Sequence, residues 1–333
     1  MNFEKFLIKE SQLYRKRHYL KKKLDEKLEY NDDLQVLFGI KEPEMKVKLN
    51  KMTLLQIKKN IINQNKNLYR GYSKFKKDEL IEFILTKSND RKGGFDYSLL
   101  IKDLNDEVLK LKNKDIDIFL DICSAPGEYS KYLSETYKIK GVGVTLPIEN
   151  GGINFDYKLK NYEIVYLDII KNINKIIKKD KFPFIVSGCL DMTVGKKEKF
   201  NNINLWLSTF LFTLNNLQKN GIFAFKISLR YIKFAANIIY IFTKIFKIVK
   251  TFKSLDAIGF RSMFYIVGFG YKIDIEYLKL INKLLLDIKK KNFENIQQFR
   301  DKTFFSNKKY FIMIKKMLEN IFQIQINAIE NII

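Results

Sequence analysis

Histidine is nearly absent: His18 is the only one in 333 residues. A single imidazole excludes a histidine-based metal centre and argues against a histidine-based catalytic triad, and no other metal-ligand spacing is present. Cysteine is almost as rare. Cys123 and Cys189 each close an apolar, strand-like run. Two cysteines in so long a chain exclude a disulfide scaffold, and the expectation is two buried thiols in a reducing compartment. Long apolar runs are missing too. Windows such as "NIIYIFTKIFKIV" are broken by lysine and fall short of the roughly 18 residues a membrane span needs. The opening stretch, "MNFEKFLIKESQLYRKRHYLKKK", carries charges inside every apolar segment, which argues against a signal peptide. These absences point to a soluble, cytoplasmic protein with no membrane association.

What is abundant is positive charge. Lys and Arg number 61 against 37 Asp and Glu, a formal net charge of +24. An excess of this size favours a polyanionic partner such as nucleic acid. The competing explanation is composition alone, since Lys, Asn and Ile all abound while Pro is scarce. Apolar residues make up 46% of the chain, enough for a substantial core and too many for a disordered protein.

Along the chain the pattern changes three times. Residues 1–50 read as a basic helical extension, with a cluster at Arg15, Lys16, Arg17, Lys21, Lys22 and Lys23 that is either a solvated face or a phosphate-binding one. Residues 51–88 read as two short amphipathic helices around Gly71, the first capped by Thr53 and the second, after Ser73, facing inward through Leu80, Ile81, Phe83 and Ile84. From 95 to 272 strand-like runs alternate with helical ones: "DIFLDIC", "KGVGVTL", "YEIVYLD", "PFIVSGC", "GIFAFKIS" and "MFYIVGFGY" as strands, with "SKYLSETYK", "IIKNINKIIKK" and "NLWLSTFLFTLNNLQK" as helices between them. Such alternation predicts an α/β fold, a mostly parallel sheet covered by helices on both faces. Residues 273–333 return to lysine-rich helix. Its apolar end, "MLENIFQIQINAIENII", is a helix that either packs on the core or docks a partner.

The most informative stretch is "DIFLDICSAPGEYSKYL", residues 117–133. An apolar strand ends in Asp121, and the small-residue turn Ser124-Ala125-Pro126-Gly127 then opens a helix. Ligands of open α/β sheets bind beyond the carboxyl ends of the strands, glycine permits close backbone approach, and a helix N-terminus offers free amides.

That stretch, followed by "GVGVTL", resembles motif I and the second strand of the FtsJ-type ribose methyltransferases, a family that includes enzymes methylating the 2′-oxygen of messenger-RNA caps. The resemblance covers about residues 95–272 and implies a Rossmann-like methyltransferase fold with S-adenosylmethionine over Asp121, Ser124, Ala125, Pro126, Gly127, Glu128 and Tyr129. It also puts Asp168 at the adenine end. Glu128 stands where the family has a second glycine, and Tyr129 where it has Phe. Family members share a Lys-Asp-Lys-Glu tetrad. Lys102, which lies 19 residues before Asp121, matches the first lysine, and Lys226, ending "GIFAFK", matches the central one. A lysine acts as base only when neutral, and a second cation nearby favours that state. The carboxylates depart from the pattern: Gly188 aligns with the aspartate, with Asp191 the nearest acid, and Met263 takes the place of the glutamate.

A second resemblance lies upstream. "GYSKFKKDELIEFI" is similar to helix–loop–helix modules of the SAP type, found in nucleic-acid-processing proteins including those of large DNA viruses. It implies nucleic-acid contacts at Arg70, Lys74, Lys76 and Lys77. Together the two resemblances imply an RNA 2′-O-methyltransferase acting on capped, viral messenger RNA in the host cytoplasm or virion. The alternatives are an inactive methyltransferase-fold subunit that binds RNA or a protein partner in a capping or transcription complex, and a nucleic-acid binder led by the hairpin.

Overall fold

Seven runs rich in Val, Ile and Phe pair into one sheet, in the order β3-β2-β1-β4-β5-β7-β6. The structure, a computed structural model, describes residues 3–30, 53–57, 76–81, 97–189, 198–255, 262–290 and 293–330. The strands are β1 (Ile118–Ile122), β2 (Lys140–Thr145), β3 (Tyr162–Tyr166), β4 (Phe182–Ser187), β5 (Leu217–Ser228), β6 (Phe246–Phe252) and β7 (Met263–Tyr271). The helices are α1 (Phe3–Glu10), α2 (Gln12–Tyr30), α3 (Leu54–Ile57), α4 (Tyr97–Leu104), α5 (Glu128–Tyr137), α6 (Glu198–Asn216), α7 (Ile232–Ile245), α8 (Ile275–Lys289), α9 (Phe293–Asp301) and α10 (Lys308–Glu330). The chain divides into one unit of Met1–Arg17 with Tyr97–Ala328, and another of His18–Asp96 with Ile329–Ile333.

The first unit holds the whole sheet. Strands β1 to β5 are parallel, and β7 runs antiparallel between β5 and β6. This is the mostly parallel α/β architecture expected, with a seventh strand, β6, beyond the six that the sequence pattern predicts. Helix α7 is apolar nearly all round and lies in the core, as such helices must. There Phe242 stacks on Phe210, Phe223 and Phe225, with ring centroids 5.4, 5.6 and 6.3 Å away. Truncating one of these rings would cost about 3–5 kcal/mol. The apolar face of α10 is also core: Phe311 meets Phe3 and Phe6 of α1, and Phe322 meets Tyr14. Arg17, buried despite its charge, donates to Gln325 Oε1 at 2.6 Å.

Two expectations are corrected. No helix forms over 169–179. Side chains from the end of α6 take the backbone groups instead: Asn216 Oδ1 accepts from Ile177 N–H (2.8 Å), while Asn216 Nδ2 and Asn215 Nδ2 donate to the carbonyls of Lys175 (2.9 Å) and Ile173 (3.1 Å). A backbone satisfied in this way has no need of its own helical ladder. Second, Cys123 and Cys189 are not thiols. They form a disulfide, with Cα atoms 5.1 Å apart. Cys123 follows directly on β1 and Cys189 follows β4 with Gly188 between, and those strands are neighbours in register, Ile122 beside Ser187. The inference from free thiols to a reducing compartment therefore lapses.

In the second unit, Thr53 caps α3 as expected. Its Oγ1 accepts from Gln56 N–H (3.2 Å), and Gln56 Oε1 accepts from Thr53 N–H (2.8 Å), a reciprocal capping box. The helical turn at 77–81 buries Leu80 and Ile81. No helix among the described residues is long and apolar enough to cross a membrane.

Candidate functional site

Chain order reverses between β1 and β4, so the crevice beyond their carboxyl ends is the topological switch point where α/β folds bind ligands. The turn after β1 lies there. Cys123 takes a left-handed conformation (φ 61°), and the amides of Cys123 and Ser124 both donate to Val144 O, at 2.8 and 3.1 Å. The turn continues through a cis Ala125–Pro126 peptide to Gly127, whose φ of 115° suits glycine alone. Helix α5 starts at the next residue, Glu128, an acid placed favourably at a helix N-terminus.

Asp121, at the end of β1, is buried and accepts from Ser130 Oγ at 2.7 Å. Burial raises its pKa to about 7, the Ser130 bond and the Lys226 charge oppose the rise, and the Glu128 charge adds to it. The Tyr129 phenol is hydrogen-bonded to that of Tyr265. Tyr265 lies directly opposite Lys226 in the β5–β7 ladder.

Lys226 is itself buried, 6% exposed, near the carboxyl end of β5. A Cβ built on Gly188 would lie 3.6 Å from Lys226 Nζ. The position aligned with the family aspartate therefore does face the central lysine, and it is bare. Met263 sits opposite Ser228, two residues on from Lys226. Its carbonyl accepts from a second buried lysine, Lys253, at 2.8 Å. Burial, with the Arg17 charge nearby, drives the Lys253 pKa well below the usual lysine range.

Lys102 is exposed on α4 and pairs with Asp106 Oδ2 at 3.0 Å; that hydrogen bond and charge raise its pKa. Asp168 closes its own turn, accepting from Ile170 N–H (3.0 Å) and pairing with Lys171 (3.4 Å). Lys76 is exposed and its amide is capped by Glu79 (2.9 Å), while Lys77 is half-buried. Asp191, Arg70 and Lys74 lie outside the described residues.

Sequence reasoning missed one feature. The segment between β2 and β3 returns across the turn, so that a Cβ on Gly127 would meet the Phe155 ring at 2.8 Å and the Tyr157 ring at 2.9 Å. The alternation in "NFDYKL", aromatic at every second place, was the available signal: an extended chain shows such residues on one side.

The turn fits the adenosyl cofactor that the resemblance implies. Ser124 Oγ is buried and makes no hydrogen bond of standard geometry among the described residues, with the Tyr162 phenol beside it. Gly127 carries no side chain over the cradle, and the first-turn amides of α5 have no acceptor within their helix. Among the described residues, no group of three metal-ligating side chains occurs.

The family model for FtsJ-like methyltransferases matches residues 101–271. Similar solved structures include a ribosomal RNA methyltransferase from Plasmodium falciparum, 21% identical with a TM-score of 0.42, the match covering 53% of this chain and 97% of that one. A spermidine synthase from Corynebacterium glutamicum is 11% identical with a TM-score of 0.40, over 54% and 66% of the two chains. An rRNA methylase from Streptococcus thermophilus is 13% identical with a TM-score of 0.32, over 48% and 89%. No curated protein matches the sequence.

Proposed function

Since the chain belongs to the FtsJ-like methyltransferase family, matched over residues 101–271, we propose that it methylates a ribose 2′-hydroxyl of RNA with Lys226 as base. S-adenosylmethionine is the cofactor. When bound it supplies a methyl group activated by a sulfonium. Asp121, Ser124, Ala125, Pro126, Gly127, Glu128 and Tyr129 would hold it, with Asp168 towards the adenine.

The observation that carries this reading is the placement of Lys226. It is buried beside the switch-point crevice, next to the Gly188 position and near enough to Asp121 for its charge to counter the rise of that carboxyl. A ribose hydroxyl is a weak nucleophile, and a neutral amine held against it accepts the proton as the oxygen attacks. Lys102 would be a tuning cation and Asp191 a displaced orienter, completing a tetrad from which two carboxylates have gone.

The proposed substrate is capped messenger RNA, in the setting of a large DNA virus, with the 51–88 hairpin gripping phosphates through Arg70, Lys74, Lys76 and Lys77. Methyl transfer from labelled cofactor to capped RNA tests it. Lys226→Ala should lose at least about a hundredfold in rate. Transfer undiminished in that variant would remove Lys226 from the mechanism.

Gly188 and Met263 favour a second reading, an inactive methyltransferase-fold subunit that binds RNA or a partner in a capping complex. Cofactor binding without transfer to any RNA would establish it.

A further inference from the structure

After β2 the chain passes through a short turn at Ile148–Asn150 and then crosses the cofactor turn before β3 begins at Tyr162. The crossing segment, 152–161, has no helix or strand. It is extended, and its side chains alternate: Phe155, Tyr157 and Leu159 are partly buried, while Asn154, Asp156, Lys158 and Lys160 are exposed.

Its ends are tied to the flanking chain, Gly152 N–H donating to Pro147 O at 3.0 Å and Asn161 O accepting from Gly141 N–H at 3.1 Å, and few contacts hold the stretch between. Asp156 N–H donates to Pro126 O at 2.9 Å. The Phe155 and Tyr157 rings abut Gly127, as described. Phe155 also stacks on Tyr162 at 5.2 Å and 18°. The Tyr162 phenol reaches Ser130 Oγ at 2.5 Å, and Ser130 in turn holds Asp121. Outside, Lys131 Nζ lies 4.6 Å over the Tyr157 ring. Between the tied ends, every one of these contacts is made to the turn, to the first residues of α5 or to Tyr162. The segment is therefore keyed to the place where the cofactor belongs.

We propose that residues 152–161 are a strap that closes the cofactor turn with the chain's own aromatic rings, and that S-adenosylmethionine enters by displacing Phe155 and Tyr157. Van der Waals contact between heavy atoms needs about 3.5 Å. With ring carbons 2.8 Å from the site of a methyl on Gly127, no ligand atom can reach that face of the glycine while the rings stay. Between its tied ends, one backbone bond and a few ring contacts are a small obstacle, so local opening precedes any loss of the fold. The proposal rests on the cofactor reading above but not on the chemistry assigned to Lys226.

The test is calorimetric titration of the full chain with S-adenosylmethionine, comparing the wild type with a Phe155→Ala/Tyr157→Ala double variant. Removing the internal occupant should tighten binding by about tenfold, the worth of one or two aromatic contacts. Unchanged affinity overturns the strap. Weaker binding also overturns it, and makes the rings the platform on which adenine stacks. Hydrogen exchange on the wild type gives an independent readout: the Asp156 amide should be protected without cofactor and exchange freely at saturation. Greater protection at saturation overturns the displacement. If neither protein binds at millimolar cofactor, strap and cofactor reading fall together. If exchange responds but no methyl is transferred, the catalytic reading alone falls.

Discussion

Gly188 faces Lys226 across the tip of the sheet, with the lysine nitrogen 3.6 Å from where a side chain would begin. Among the described residues, the chain neighbours Ser187 and Cys189 aside, no other heavy atom lies within 4 Å of that point, and the backbone there is outside the left-handed region. Gly188→Asp should therefore fold and place a carboxylate beside the lysine nitrogen. Restoring an orienting group to a catalytic base is worth about tenfold or more in rate. The check is methyl transfer by the variant beside the wild type; a variant with unchanged stability and no gain would mean that the lost aspartate is compensated or that catalysis is absent.

Asp121 predicts a pH dependence. Burial, opposed by Ser130 and Lys226 and reinforced by Glu128, brings its pKa to about 7. An unfolded aspartate titrates near 3.9. Between those values the folded protein keeps a proton the unfolded chain has lost, so this group's contribution to stability falls as pH rises through the window and is level above it. Denaturant midpoints for wild type and Asp121→Asn should diverge between those limits, with the wild type losing more. S-adenosylmethionine carries a cationic sulfonium, so its affinity should rise with pH through about 7, whereas S-adenosylhomocysteine, with a neutral sulfur, should show a smaller rise.

The disulfide makes a simple chemical prediction. Alkylation of the denatured, unreduced protein should modify neither cysteine, and both should react after reduction. The bond spans 66 residues, and in the loop-entropy account replacing both cysteines by serine costs about 4 kcal/mol. Denaturant titration of the serine variant checks it.

For the proposed 51–88 hairpin, the triple change Lys74→Ala, Lys76→Ala and Lys77→Ala should weaken RNA binding at every sequence tested. It should also reduce the steepness of the salt dependence by about one unit per lost phosphate contact. Filter binding across a salt series would show it; an unchanged slope would place the RNA elsewhere.

The cofactor turn was legible because local chemistry writes it: an apolar strand, an acid, small residues and a helix follow one another within 117–133. Thr53 was legible for the same reason, since a cap involves neighbours three residues apart. Strand β6 was not. Helix α7 runs into it without glycine or proline, Ile245 giving way directly to Phe246, and the apolar run looks alike on both sides of the change. The pairing of Cys123 with Cys189 and the closure of Phe155 over Gly127 depend on which strands become neighbours, and no local pattern records that. Lys226 fell between these cases: its place at a strand end was readable, but its bare partner Gly188 became meaningful only in three dimensions.

The buried bond between Arg17 and Gln325 joins residues 308 apart in sequence. Helix α1 is made before α10, so Phe3 and Phe6 wait for Phe311, the α10 ring that packs on both. Contacts so distant along the chain form late and slow the search for the native state. Through that interval of translation the nascent protein holds two phenylalanines that still lack this partner ring.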